Sequence, residues 1–233
     1  MIQAFKNLLF AALLATGVNT GFEGPVYAAC SDTPGPGLDW SDCRKRSVVL
    51  SGLELPGATF ASADLIGSDL RESNFDGASF SKAIMNRVDA SFSSLMRADF
   101  SKVEAGRVKF IESNLVGSNF EKAVLFRGNF KQSNMARANL NKSEFSRSNF
   151  TNVDLTDSVI TFANIARADF RGANLKNVNF DTTWTYLTRF DGVDLSTVKN
   201  FTQDQLDLSC GDGETVIPSG LSRPKTWPCD EAE

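Results

Sequence analysis

Histidine is absent from this chain of 233 residues. Its absence removes the commonest general base, metal ligand and near-neutral titrating group from any catalytic scheme. A glycine-rich phosphate loop is missing too, as is a CxxC or comparable metal-ligand spacing. These gaps leave no cofactor or metal to expect and make an enzyme the least favoured class. No apolar run reaches the ~20 residues a spanning helix needs, since the stretch Asn7 to Val18 (NLLFAALLATGV) is too short. A strong charge imbalance is also lacking. A formal net charge of −4 points to neither nucleic acid nor a membrane surface as partner.

What is there begins with a leader. Lys6 precedes the apolar run, and Val26-Tyr27-Ala28 places small residues for cleavage after Ala28. Residues 1–28 therefore read as a secretory signal peptide, leaving no membrane span after cleavage. The mature chain is expected in the periplasm or outside the cell. Acylation at Cys30 is the alternative, disfavoured by Tyr27 and by the spacer from Gly21 to Pro25. Export agrees with four cysteines, Cys30, Cys43, Cys210 and Cys229, because oxidising compartments permit disulfides.

From Val48 to Thr197 the chain repeats every five residues without insertion or deletion. The thirty residues at multiples of five from Leu50 to Leu195 include twelve Phe and eleven Leu, so these centres form an apolar core. Two positions earlier stand small residues, chiefly Ala, Ser and Val. One position earlier Asn or Asp occurs seventeen times, which suits corners where these side chains bond to nearby backbone. Within a unit, period two sends the centre and the small residue inward and the residue between them outward. A period of five fits neither a helix nor a continuous strand, but it fits short straight sides joined by tight corners.

Units such as ASADL (Ala61 to Leu65), RESNF (Arg71 to Phe75) and KQSNM (Lys131 to Met135) resemble the pentapeptide-repeat family, whose consensus is A(D/N)Lxx. The resemblance covers about 150 of 233 residues. It implies an all-β fold, a right-handed quadrilateral (four-sided) β-helix solenoid with four units per coil. Sorted that way, Phe60, Phe80, Phe100 and Phe120 share one column, and Phe110, Phe130, Phe150, Phe170 and Phe190 share the opposite one. The interior should hold two facing Phe stacks with Leu between them. Ala90 and Ala105 underfill it, and Phe92 is expected to turn inward beside Ala90. The unit around Thr185, with Trp184, Tyr186 and Leu187, either bulges with its aromatics outward or packs beneath the C-terminal segment.

Roughly seven coils stacked at ~4.8 Å would set the two ends about 35 Å apart. A disulfide requires α-carbons within ~7 Å, so of three possible pairings Cys30–Cys43 and Cys210–Cys229 remain. Residues 29–47 then form an irregular N-terminal cap carrying Trp40, residues 48–197 the β-helix, and residues 198–233 a C-terminal cap. Thr202 and Gln205 stand at capping-box spacing, so a short helix is expected there.

One outward pattern exceeds the consensus. Lys or Arg occupies the second position after the centre in eleven units. Lys82, Lys102, Lys122 and Lys142 are spaced by 20, as are Arg87, Arg107, Arg127, Arg147 and Arg167, which makes two vertical ladders on adjacent faces. Stacked like charges repel. They either keep a flat-sided solenoid soluble, with Glu104, Glu121 and Glu144 neutralising part of them, or bind an anionic partner. The expected function is a non-enzymatic binding or scaffold protein whose partner is an anionic envelope polymer or an acidic protein. The resemblance also implies an alternative, a DNA-mimic regulator of a type II topoisomerase such as gyrase. Basic ladders and an export signal argue against it.

Overall fold

The computed structural model describes residues 30–229, so the leader expected over residues 1–28 lies outside the described residues. Parallel bridges join residues 20 apart, such as Asp39 to Thr59, Asp99 to Asn119 and Asn179 to Lys199. The bridging residue is the outward one just before each centre, so the chain passes over itself once every four units. Backbone groups bond alternately to the coils on either side. The Phe100 N–H donates to the Asn119 carbonyl at 2.7 Å, and the Asp99 N–H to the Ala78 carbonyl at 2.9 Å. The result is a β-helix.

The corners follow from the turn at the end of each unit. The carbonyl of the centre accepts from the N–H three residues on, as in Ala63 to Phe60 at 3.0 Å and Ala78 to Phe75 at 2.9 Å. The second residue of the turn has positive φ at every unit from Gly37 to Gly192, the signature of a type II turn. Eight of these corners are glycine and twenty-four are not, the latter at φ of 52 to 63°. The turn is therefore imposed by the closed coil rather than by glycine. Asn and Asp support it as expected: Asp99 Oδ1 accepts from the Ser101 N–H at 3.0 Å, and Asn119 Oδ1 from the Glu121 N–H at 3.1 Å.

Inside, the two Phe columns form. Phe60, Phe80, Phe100 and Phe120 stack with centroids 4.8–5.0 Å apart. Phe130, Phe150 and Phe170 stack at 4.9 and 4.7 Å. The columns meet edge to face, Phe100 on Phe110 at 5.3 Å and Phe120 on Phe130 at 6.1 Å. Such contacts add to the gain from area burial alone. The inward serines do more than keep room: Ser73, Ser93 and Ser148 donate to the centre carbonyls of Leu50, Leu70 and Leu125 at 2.7–2.9 Å. Each such hydroxyl ties two coils together. Phe92 departs from expectation. It is 54 % exposed at a positive-φ corner, which directs its side chain away from the space beside Ala90.

The irregular N-terminal cap expected over 29–47 is in part a continuation of the array. Gly37, Asp42 and Ser47 are corners, and Asp39 and Arg44 bridge to Thr59 and Asp64. Trp40 is a buried centre set edge-on to Phe60 at 6.1 Å, and Lys45 places its ammonium 3.8 Å from the Trp40 ring centroid. Lys45 and Gly35 at centre positions hide this coil from a search for apolar repeats. Cys30 and Cys43 are bonded, with α-carbons 5.6 Å apart.

At the other end Thr185 is buried beneath the C-terminal segment and donates to the Gln205 carbonyl at 2.7 Å. Trp184 and Tyr186 point outward and stack at 6.3 Å, with register kept. Helix α1 (Gln203–Leu208) starts at Thr202 with a capping box closed by Gln205. The Gln205 amide also donates to the carbonyls of Phe180 and Thr183, covering end-coil acceptors that no further coil reaches. The Cys210–Cys229 disulfide, with α-carbons 5.5 Å apart, fastens the segment beyond the helix.

Candidate functional site

Each ladder residue stands at the positive-φ corner of its turn, with φ between 56 and 61°. All nine, Lys82, Lys102, Lys122, Lys142, Arg87, Arg107, Arg127, Arg147 and Arg167, are exposed. Chain order relates the two rows. Lys102 is one corner, residues 103–106 are the side that follows, and Arg107 is the next corner. The ladders are thus the two long edges of a single side. Reading residues five apart as opposite edges of one side would have found this from sequence.

Pairing distinguishes this side from its neighbour. On the side after the Arg ladder, Arg71 meets Asp69 at 2.7 Å, Lys109 meets Asp89 at 3.2 Å, and Arg171 meets Asp169 at 2.6 Å. The Arg71 guanidinium bonds to Asp69 and holds its carboxyl below the usual range. Burial pushes the Asp169 carboxyl up, but the Arg171 guanidinium and N–H outweigh it and the net direction is down. Of the nine ladder cations, only Lys122 forms an ion pair among the described residues, with Glu121 at 3.3 Å. Glu104 and Glu144 lie on the framed side but form no ion pair among the described residues, so neutralisation is less than expected.

Between the ladders apolar and acidic residues alternate from coil to coil. Val124 is 39 % and Phe126 44 % exposed on one coil, with Glu104 and Glu144 on the coils to either side and half-buried Ile84 two coils away. The Phe126 ring covers Gly106, where an added Cβ would come within 2.6 Å of two of its carbons. Ile66, Asn86, Arg87, Gly106, Arg107 and Phe126 line an open depression there. Further along the side are Trp184 and Tyr186, with the Arg167 guanidinium 5.8 Å from the Tyr186 ring centroid. The sequence reading singled out Trp184 and Tyr186 but not Val124 or Phe126.

No cluster of three or more potential metal ligands occurs among the described residues. Among them no helix is long and apolar enough to cross a membrane.

Family models agree with this geometry. One described as a pentapeptide repeat region matches residues 103–180, and one described as pentapeptide repeats (8 copies) matches 46–81 and 63–101. The chain belongs to the pentapeptide-repeat family. No curated protein matches it. Among solved structures it is similar to HetL, a pentapeptide repeat protein involved in heterocyst differentiation regulation from the cyanobacterium Nostoc sp. strain PCC 7120. Identity is 19 % over 84 % of this chain and 89 % of HetL, with a TM-score of 0.54. Trypsin-treated QnrB1, a plasmid-mediated fluoroquinolone resistance protein, matches at 16 % identity over 73 % of this chain and 92 % of its own, TM-score 0.42. A pentapeptide repeat protein from the Arabidopsis thaliana thylakoid lumen matches at 20 % over 58 % and 79 %, TM-score 0.24. The HetL likeness extends to the fold, the right-handed β-helix of pentapeptide-repeat proteins.

Proposed function

We propose that this pentapeptide-repeat chain is an exported, non-enzymatic binding or scaffold protein. It works as a four-sided solenoid whose side between the Lys82–Lys142 and Arg87–Arg167 ladders takes an anionic partner, an envelope polymer or an acidic protein. Four corners per 20-residue coil support the quadrilateral cross-section. The carrying observation is that eight of nine aligned cations have no ion pair among the described residues, whereas Arg71, Lys109, Arg171 and Arg189 on the next side each do. An aligned row of unneutralised charge raises the local concentration of a polyanion and steers its approach. Two disulfides, at the two ends of the chain, favour an oxidising compartment, periplasmic or extracellular.

The test has two arms. Fractionation should find a cleaved chain outside the cytoplasm. The quadruple variant Lys102→Glu, Arg107→Glu, Lys122→Glu, Arg127→Glu should lose salt-sensitive binding to polyanions while keeping its circular dichroism. Glu72 and Glu112 already occupy the same turn position on another edge at φ 56 and 53°, so the corner geometry accepts Glu. A wholly cytoplasmic, uncleaved chain would overturn the export reading and turn attention to topoisomerase regulation. Wild type without salt-sensitive binding would leave the ladders a solubilising surface.

A further inference from the structure

The aromatics at the far end of the framed side take no part in the core. Trp184 and Tyr186 flank the buried centre Thr185 and point outward, 51 and 41 % exposed. Their ring planes lie within 21° of parallel, with centroids 6.3 Å apart. Inside the core, Phe60, Phe80 and Phe100 stack at 4.9 and 5.0 Å. The wider spacing of the outer pair leaves ring surface uncovered. Apolar ring left in water forgoes the gain from burial, so this pair is not explained by stability.

The coil beneath the pair is low. Asn164 bridges to Trp184, and Ala166 holds the place in its unit that Tyr186 holds one coil on. Both are short and half-buried, so they form a floor beside the two rings. At one rim stands the Arg167 guanidinium, over the Tyr186 ring at 5.8 Å from its centroid. At the other rim is Phe162, 57 % exposed. Asn164 Oδ1 accepts from the Ala166 N–H at 3.0 Å, which leaves the amide nitrogen to donate outward. Glu144, one coil further, bridges to Asn164 and forms no ion pair among the described residues.

This ledge combines aromatic surface with donors and an acceptor. A pyranose has the complementary form: C–H groups on one face stack on an aromatic ring, and hydroxyls around the edge both donate and accept. Arg167 and Asn164 supply donors and Glu144 an acceptor. An anion at the floor would lie beside the Glu144 carboxylate and be repelled, whereas an uncharged sugar uses that carboxylate. We propose that the ledge of Asn164, Ala166, Trp184 and Tyr186 binds a neutral pyranose of a glycan chain. Trp184 and Tyr186 stack on its C–H face, Arg167 and Asn164 donate to its oxygens, and Glu144 accepts from a hydroxyl. The site is independent of the ladder reading.

Tryptophan emission reads the ledge directly, because Trp184 is exposed while Trp40 is buried and Trp227 half-buried. The full mature chain, with both disulfides formed, is titrated with cellohexaose, mannohexaose, chitohexaose and maltohexaose. At least one should shift the emission in a saturable way. By calorimetry, Trp184→Ala and Tyr186→Ala should each weaken that sugar by about tenfold, and Trp184→Phe should retain most of the affinity. Ala166→Leu should block the floor with both rings in place. Ile66 and Phe126 hold the equivalent position in other coils, so the fold accepts Leu there. Circular dichroism should be unchanged in all four variants. The ladder variant Lys102→Glu, Arg107→Glu, Lys122→Glu, Arg127→Glu should bind the sugar as wild type does. No response to any hexamer, or equal affinity in wild type and both alanine variants, overturns the ledge and leaves the ladder reading standing. Sugar binding lost in the ladder variant but kept in the alanine variants overturns it as well, placing the sugar on the ladders.

Discussion

Phe130→Ala should be among the most damaging single changes in this chain. The side chain is fully buried. Its ring stacks on Phe110 at 5.4 Å and Phe150 at 4.9 Å, and meets Phe120 and Phe145 edge-on at 6.1 and 5.5 Å. Truncating a buried Phe costs about 3–5 kcal/mol through lost transfer energy and the residual cavity. Collapse into the cavity is hindered, because coils above and below are held by bonds such as Phe130 N–H to the Asn149 carbonyl at 2.8 Å. The expected loss is therefore in the upper half of that range, about 4–5 kcal/mol. Phe130→Leu should cost far less, about 1–2 kcal/mol, because Leu70 already fills a centre of the same column. Phe92→Ala, at an exposed corner, should change stability by no more than ~0.5 kcal/mol. Urea titration followed by circular dichroism measures all three. Since repeat arrays transmit stability from neighbour to neighbour, hydrogen exchange should show protection lost first in the coils around residue 130. A loss below about 1 kcal/mol for Phe130→Ala would refute the packed-column account, because no well-filled interior relaxes so cheaply.

Three further outcomes are expected. Replacing Cys210 and Cys229 by Ser opens a link spanning 19 residues and should lower stability by about 3 kcal/mol; an unchanged melting temperature would show the terminal segment held by packing alone. Phe162→Gly at a corner with φ 56° relieves a left-handed strain of about 1–2 kcal/mol and adds a glycine entropy cost of about 0.5–1. It should raise stability by about 0.5–1 kcal/mol in the same titration, and a decrease would mean that the exposed ring makes stabilising contacts. Asp69 is held low by the Arg71 hydrogen bond, and Asp212 by the Gly192 N–H first. Their folded values lie below unfolded values of about 4, so their contribution is present above pH ~4 and lost as pH falls through the lower folded values. Stability should hold from pH 7 to about 5 and drop below about 4. A flat profile down to pH 2 would sink this linkage.

Much of the interior was legible because one rule, repeated, fixes it. Every centre must fill the same cross-section, so Phe or Leu recurs at intervals of five and the columns can be sorted by counting. The same rule failed where a residue met the geometry without the composition. Lys45 occupies a centre because the end of the stack is open, and its ammonium lies over Trp40 rather than in a core. That coil follows the corners, through Gly37, Asp42 and Ser47, and not the apolar pattern. Phe92 was misplaced for the converse reason. An aromatic beside an underfilled centre suggests inward rotation, but the second turn residue is fixed outward whatever its identity. The side between the ladders was obscured by treating them as features of two faces. Val124 and Phe126 are seen to lie between basic edges only once Lys102 and Arg107 are recognised as edges of the same side.

Corner chemistry bears on why the ladders exist. Glycine adopts the corner conformation freely, and it holds eight of the thirty-two corners, twenty-four being other residues. A charge needed only for solubility has an unstrained alternative, the position directly after the centre, which Arg71, Lys131 and Arg171 occupy on the next side. Arg71 and Arg171 there bond to a carboxylate two residues earlier, at the end of the preceding unit. At the corner a basic side chain accepts left-handed strain and projects from the edge of the coil instead. Repeated at intervals of 20, that choice sets five arginines in one line and four lysines in another, along the two edges of one side. Solubility alone does not require the alignment, whereas recognition of an anionic partner uses it.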